Sequence, residues 1–374
     1  MTRAKGLPAE HPGGLVSRIA WPDMTRVLLT GLVVAHHCAV TYSHIPAWTY
    51  HETPVDGSAG LLDAFVAVNQ AWFMGAFFLI SGWFVPESVD RHGAGGFIRG
   101  RLLRLGGPFL FFLIALKPLF YLPAWDPVMG DNPLVWALTV PDPGPLWFVL
   151  LLLVFSMAYA GIRATGVGKP VVSPGTSSPG LAGVVGFGLV LGLVSWAWWI
   201  AVPVGTYWIS LPSAGYLPQY ALCFAVGALG GRRGWMSHLR RRTGFVCAGL
   251  AVLTGLGWLT VVVLGGPAAA GGGTALSALS AALNGLFTAT VIVAVLVATR
   301  LWLDRSGPSA QFLSANAYAV FVLHAPIVAW LGVGLSGLVA PALVKAMLLF
   351  TLAVPACWGA AWAIRRVPAV ARIV

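Results

Sequence analysis

The sequence predicts an all-α membrane protein, a polytopic bundle of about ten transmembrane helices with both termini in the cytoplasm. Of its 374 residues, 58% are hydrophobic and only 9% are charged, whereas a soluble domain carries roughly a quarter charged residues. Apolar runs of about 20 residues recur along the chain, which is the length that crosses a hydrocarbon core of about 30 Å as a helix. Strands are excluded because lipid cannot satisfy open sheet edges, and these runs are too long and unbroken for barrel strands.

The positions of the charged residues predict the orientation of the spans. With the N-terminus inside, 19 of the 22 Lys and Arg residues fall in cytoplasmic segments, since only Arg26, Lys117 and Lys345 lie within spans. Six of the 11 acidic residues fall in external loops. Basic residues are retained on the cytoplasmic side during insertion, so this asymmetry sets the topology. The predicted spans are residues 25–43, 65–85, 105–122, 145–162, 182–201, 217–231, 244–264, 279–299, 312–331 and 341–363.

The chain is predicted to form one membrane domain over residues 1–374. Residues 1–20 and 365–374 are interpreted as cytoplasmic tails, and the Gly-, Pro- and Ser-rich segment 164–181 as a flexible cytoplasmic linker. The net charge of +11 comes from segments that flank the membrane, so no nucleic-acid partner is predicted. The lipid bilayer is the expected partner of the surface, and any chemistry is expected inside the bundle.

The first span carries a stripe of polar residues along one helix face. His37 lies about 20° from Arg26 around the helix axis and about 16 Å farther along it, near the middle of the bilayer. His36 points about 100° away from this face. A neutral imidazole at that depth is a candidate general base, and the alternative is a histidine that hydrogen-bonds a neighbouring helix. No metal site is predicted, because adjacent histidines diverge on a helix and no carboxylate lies near them in the sequence.

A basic cluster precedes the third predicted span. Its members Arg101 and Arg104 are three residues apart and share a helix face, with Arg99 close by. Paired guanidinium groups at a membrane mouth suit a phosphorylated ligand, and the alternative is an ordinary positive-inside anchor. His324, within the ninth predicted span, is interpreted either as an interhelical hydrogen-bonding residue or as part of a site. Trp48 is assigned to the aromatic belt at the membrane interface.

Five short motifs occur in a fixed order along residues 18–330. They are Asp23, Arg26 and His37 with His36 directly before it, FFLISGWF at 77–84, the RLLR of Arg101 to Arg104, Leu146-Trp147-Phe148, and the segment from Tyr318 to His324. In this order they resemble the acyltransferase-3 family of integral-membrane O-acyltransferases. The last motif departs from the family pattern, because Phe321 stands where a second tyrosine is usual.

The resemblance implies an enzyme that moves an acyl group, acetyl by default, from cytoplasmic acyl-CoA to a hydroxyl of a carbohydrate or another small acceptor. It implies a plasma-membrane location and no permanently bound cofactor. The resemblance implicates His37 as base or acyl shuttle, with His36 as the second catalytic candidate. It implicates Arg101, Arg104 and Arg26 in binding acyl-CoA. His324, Ser81 and Trp147 are expected along the acceptor path. The alternative is an exporter of a small or lipid-linked molecule, which should show matched repeats or symmetrically broken helices, and the sequence shows neither.

Overall fold

The computed structural model describes residues 20–130, 132–166, 178–207, 211 and 214–373. Helices make up 80% of it, and no strand occurs within those residues. The prediction of an all-α protein is therefore confirmed. Of the predicted N-terminal tail, residues 1–19 lie outside the described residues, as do residues 167–177 of the predicted linker.

The helices account for most of the described chain. In chain order they are α1 (Trp21–Thr41), α2 (Ala59–Gln70), α3 (Phe73–Arg101), α4 (Gly107–Phe111), α5 (Lys117–Tyr121), α6 (Pro133–Thr139), α7 (Trp147–Ala164), α8 (Leu181–Trp199), α9 (Leu217–Arg233), α10 (Arg241–Gly265), α11 (Pro267–Ala270), α12 (Ala275–Trp302), α13 (Pro308–Gly334), α14 (Ala342–Ile364) and α15 (Pro368–Ala371). Single π-helical turns precede α4 and α5, at Leu102–Gly106 and Phe112–Leu116.

Eight stretches of the described chain are long and apolar enough to cross a membrane. One of them, Ala59–Ala124, contains two of the predicted spans. The remaining predicted span corresponds to α9, which has 17 residues. The protein is thus a polytopic membrane helix bundle.

The predicted span over residues 65–85 is interrupted by a break in the helix. Helix α2 ends at Gln70 and α3 begins at Phe73. At the break, the Thr288 hydroxyl of α12 donates a hydrogen bond to the carbonyl oxygen of the buried Ala71 at 2.8 Å. Irregular backbone is tolerated at membrane depth only where protein covers it. The apolar run continues through the break, so hydropathy gives no sign of it.

A second break, at Gly93, divides α3. Gly93 adopts φ +68° and ψ 164°, a conformation that residues with a Cβ rarely adopt. The chain then continues through the first π turn into α4 and α5. The second and third predicted spans are therefore joined by a helical connection at one end of the bundle rather than by a loop.

Different ion pairs mark the two ends of the bundle. Arg163 pairs with Asp90 at the end that also holds Arg104, called the arginine-rich end below. Lys345 of α14 pairs with Glu52 at the opposite end. The positive-inside rule predicts that the arginine-rich end is cytoplasmic.

Helices α3 and α9 pack with their backbones almost in contact. A Cβ added at Gly227 would lie 2.0 Å from the Leu79 carbonyl oxygen, and one at Gly231 would lie 2.2 Å from that of Trp83. Small residues four apart allow this approach, as in other membrane helix pairs. The contact fixes α3, whose Ser81 faces the cavity described next.

Candidate active site

A cavity of about 450 Å³ lies at the arginine-rich end between α1, α3, α7 and α13. Four arginines line this arginine cavity: Arg26, Arg101, Arg104 and Arg372. Among the described residues of its wall, none is acidic, and most are apolar or aromatic. The cavity therefore combines concentrated positive charge with an apolar interior, which suits an anionic ligand that carries an apolar group.

Two of the three arginines predicted from the sequence contact aromatic rings. Arg26 forms an ion pair with Asp23, with Nη1 2.9 Å from Oδ1, and its guanidinium lies 4.6 Å from the centroid of the Phe84 ring. Arg101 lies 5.0 Å from the centroid of the Phe97 ring. These contacts orient the guanidinium groups through ring faces and one carboxylate.

Arg101 and Arg104 also line a second, smaller cavity of about 230 Å³. Its wall includes Ser88 and His92 of α3, close to the break at Gly93. The two arginines thus stand between two adjoining cavities. Arg99 lies outside both walls and is exposed.

Three aromatic rings close the inner part of the arginine cavity. The centroids of Phe77 and Phe148 are 5.4 Å apart, those of Phe148 and Phe321 are 5.4 Å apart, and those of Phe77 and Phe321 are 6.1 Å apart. The Phe321 ring is also 5.7 Å from that of His324. Phe321 therefore connects the cavity wall to the histidines deeper in the bundle.

His37 of α1 and His324 of α13 form a hydrogen-bonded histidine pair. His37 Nδ1 lies 3.1 Å from His324 Nε2, and His324 Nδ1 lies 2.7 Å from the Phe321 carbonyl oxygen. A carbonyl can only accept, so His324 Nδ1 carries a proton and the Nε2 of a neutral His324 accepts. His37 Nδ1 is then the donor. The network leaves His37 Nε2 unprotonated, with a lone pair available to accept a proton.

The indole of Trp48 stacks on His37 from the loop that follows α1. The ring centroids are 4.1 Å apart and the planes differ by 21°. Trp48 is partly buried. His324 is fully buried, whereas His37 is only partly buried. His37 is not part of the wall of the arginine cavity.

His36 faces a different part of the bundle, as its position on the helix predicts. Its Nδ1 lies 3.4 Å from Asn69 Nδ2 of α2, and its ring stacks on Phe73 with centroids 5.2 Å apart. The planes of the two adjacent imidazoles, His36 and His37, differ by 87°. His36 is thus directed at the α2–α3 break rather than at His324.

The remaining predicted site residues separate into two groups. Ser81 lines the arginine cavity. Trp147 is absent from its wall and stacks on Tyr220 with centroids 5.2 Å apart, and the next residue, Phe148, lines the cavity instead. His324 lies behind the wall, in the histidine pair.

Sequence reasoning missed two contributions to the site. The first is Trp48, whose only sequence signal is an aromatic residue in a short loop directly after the histidine-bearing helix. The second is the segment 371–373, which was interpreted as a tail but contributes Arg372 to the arginine cavity. Arg372 itself was a sequence signal for this contribution, because three predicted residues of the cavity are also arginines.

Comparison with known proteins assigns the chain to a family. The model of the acyltransferase-3 family, described as an acyltransferase domain, matches residues 19–364. Neither a curated protein nor a solved structure matches the chain. The match covers all the helices from α1 to α14 and both members of the histidine pair. The chain belongs to the acyltransferase-3 family and is a membrane acyltransferase.

Proposed function

We propose that the protein transfers an acyl group, acetyl by default, from acyl-CoA to a hydroxyl of a carbohydrate or another small acceptor in the plasma membrane. The observation that carries this proposal is the hydrogen-bond network that leaves His37 Nε2 as a free acceptor beside an arginine-lined cavity. An unprotonated imidazole nitrogen is the group that general-base catalysis of acyl transfer requires.

The donor binds through its phosphates. Acyl-CoA is a polyanion, and Arg101 and Arg104 stand where the two cavities at the arginine-rich end adjoin. Guanidinium groups form charge-assisted and often bidentate hydrogen bonds with phosphate oxygens. Arg26, deeper along α1 and balanced by Asp23, orders the part of the donor that enters the arginine cavity.

The apolar inner part of the cavity then receives the thioester arm. Phe77, Phe148 and Phe321 separate this part from the histidine pair. The thioester reaches His37 when these rings rotate apart. The same rings separate the pair from the arginine cavity, which limits the access of water to the thioester and so protects it from hydrolysis.

The chemical step uses His37 as the base. Nε2 takes the proton of the acceptor hydroxyl as its oxygen attacks the thioester carbonyl carbon. The carbon–oxygen bond forms, the carbon–sulfur bond breaks, and the imidazolium returns its proton to the departing thiolate. His324 accepts the hydrogen bond of His37 Nδ1–H and so keeps the ring in the required tautomer and orientation.

The experiment that tests this function follows labelled acetyl-CoA with the purified protein in detergent. We expect release of free CoA that depends on added hydroxyl-bearing acceptors, and label in the acceptor. An exporter of small or lipid-linked molecules would leave acetyl-CoA intact under all conditions. That outcome, with a properly folded protein, contradicts the proposed function.

A further inference from the structure

The ring stacked on His37 carries a hydrogen-bond donor that no described residue accepts. Trp48 Nε1 is buried without a partner, and the hydroxyl of the next residue, Thr49, is in the same state. Native proteins retain few buried polar groups of this kind, because each one destabilises the fold. The position of the Trp48 ring beside the proposed base indicates that a ligand supplies the missing acceptor, and Thr49 is its neighbour in the same loop.

Contact with the histidine pair distinguishes Trp48 from other buried indoles. Trp258 of α10 also has a buried Nε1 without a partner among the described residues, and its ring packs against Phe287 of α12. Trp48 instead stacks on His37 at 4.1 Å and lies 6.4 Å from His324, with its plane within 21° of both rings. The Trp48 ring therefore lies directly against the imidazole of the proposed base.

The loop that carries Trp48 is held in place from both sides. This cap loop, residues 42–58, is tied to α1 by the Glu52 amide, which donates to the Thr41 carbonyl oxygen at 2.9 Å. It is tied to α14 by the Lys345–Glu52 ion pair and by the Leu343 amide, which donates to Ser58 Oγ at 3.0 Å. A loop fixed in this way presents Trp48 in one position before any ligand binds, which lowers the entropic cost of binding.

The position of the cap loop indicates which of the two substrates contacts Trp48. It belongs to the end of the bundle opposite the arginine cavity, because its partner Lys345 lies there. The donor phosphates bind at the arginine-rich end. Trp48 therefore approaches the histidine pair from the side away from the donor, where the acceptor binds.

We propose that Trp48 Nε1–H and the Thr49 hydroxyl bind a second oxygen of the acceptor, next to the hydroxyl that His37 deprotonates. This inference rests on the proposed function. It assigns the acceptor to the polyols, such as sugars, rather than to simple alcohols. A site built to hydrogen-bond a substrate oxygen discriminates against the analogue that lacks it, because its own polar groups then stay unpaired.

The test compares ethylene glycol with 1-propanol, which replaces one hydroxyl of the glycol by a methyl group of similar size. Transfer from labelled acetyl-CoA gives kcat/KM for each acceptor. We expect the wild-type protein to prefer ethylene glycol by about tenfold. In Trp48→Phe, which keeps the stacked ring and removes the donor, this preference disappears while KM for acetyl-CoA stays the same.

Two further variants complete the design. Trp258→Phe removes a comparable indole N–H on α10, where the ring packs against Phe287 and not against the histidine pair. This variant should keep the wild-type preference. Thr49→Val removes the second donor at nearly constant volume and should lower the preference even if Trp48→Phe fails to fold. A wild-type protein that transfers to both alcohols equally, or a preference that survives in both cap-loop variants, overturns the inference. Failure to transfer acetyl to any acceptor would overturn the proposed function itself.

Discussion

His37 Nδ1 lies 3.1 Å from His324 Nε2, across the interface between α1 and α13 and 287 positions apart in the sequence. The Phe321 carbonyl fixes the direction of the hydrogen bonds, so His37 presents a free Nε2. The proposed base is thus prepared by a residue on another helix.

Substitution of His324 tests whether it positions His37. His324→Leu removes the acceptor of the His37 Nδ1–H hydrogen bond, and we expect kcat to fall by at least about tenfold because the base loses its orientation. His324→Gln offers a side-chain carbonyl oxygen as a replacement acceptor and should recover part of that loss. Equal rates for the two variants, at equal membrane insertion, would mean that the hydrogen bond does not act in catalysis.

Removal of the cavity arginines should weaken donor binding. Charge-assisted hydrogen bonds contribute about 1.5–3 kcal/mol, so Arg101→Ala or Arg104→Ala should raise KM for acyl-CoA about tenfold or more. Arg99→Ala is the matched control, because Arg99 lies two positions before Arg101 but outside the walls of both cavities. A rise of similar size in all three variants would indicate a general effect of membrane-anchoring charge.

A methyl group at the α3–α9 contact should destabilise the bundle. In Gly227→Ala the added Cβ would lie 2.0 Å from a backbone oxygen, and overpacking of this kind costs about 1–3 kcal/mol. We expect a lower midpoint of thermal unfolding in detergent. Gly249 of α10 has no neighbouring atom within 4 Å of the same position, so Gly249→Ala should leave the midpoint unchanged or raise it. The reverse order of the two midpoints would contradict the observed packing.

Loss of the Lys345–Glu52 ion pair should loosen the cap loop. Lys345→Met leaves Glu52 without its charged partner, so hydrogen exchange in residues 42–58 should accelerate and acceptor-dependent transfer should fall. Donor binding should be unaffected. Arg91→Met breaks the exposed Arg91–Glu87 pair at the arginine-rich end and should change neither quantity. Unchanged exchange in Lys345→Met would show that other contacts suffice to fix Trp48.

The fold was predictable because lipid imposes simple rules. Apolar length and the absence of charge identify the spans, and these depend only on local sequence. Arg101 and Arg104 of the cavity were also predictable, because they share a helix face, whereas Arg372 was not. The break at Ala71 was not, since the partner that satisfies its carbonyl, Thr288, is far away in the sequence.

The deeper part of the site depends on tertiary contacts that local patterns do not contain. The interhelical hydrogen bond of His324 has its partner, His37, on a helix far away in the sequence. The motif Leu146-Trp147-Phe148 indicated the correct turn of the helix, but the side chain on the cavity wall is that of Phe148, one position after the predicted Trp147. Trp48 contacts His37 from a loop that is held by residues of α1 and α14, including Lys345.

The most direct test of the central claim compares His37→Ala with His36→Ala in acetyl transfer from labelled acetyl-CoA, under saturating donor and at equal membrane insertion. The geometry predicts that His37→Ala loses at least about a hundredfold in rate, whereas His36→Ala, whose ring faces Asn69 and Phe73, keeps most of its activity. Normal turnover in His37→Ala, or an equal loss in both variants, would contradict the assignment of His37 as the base.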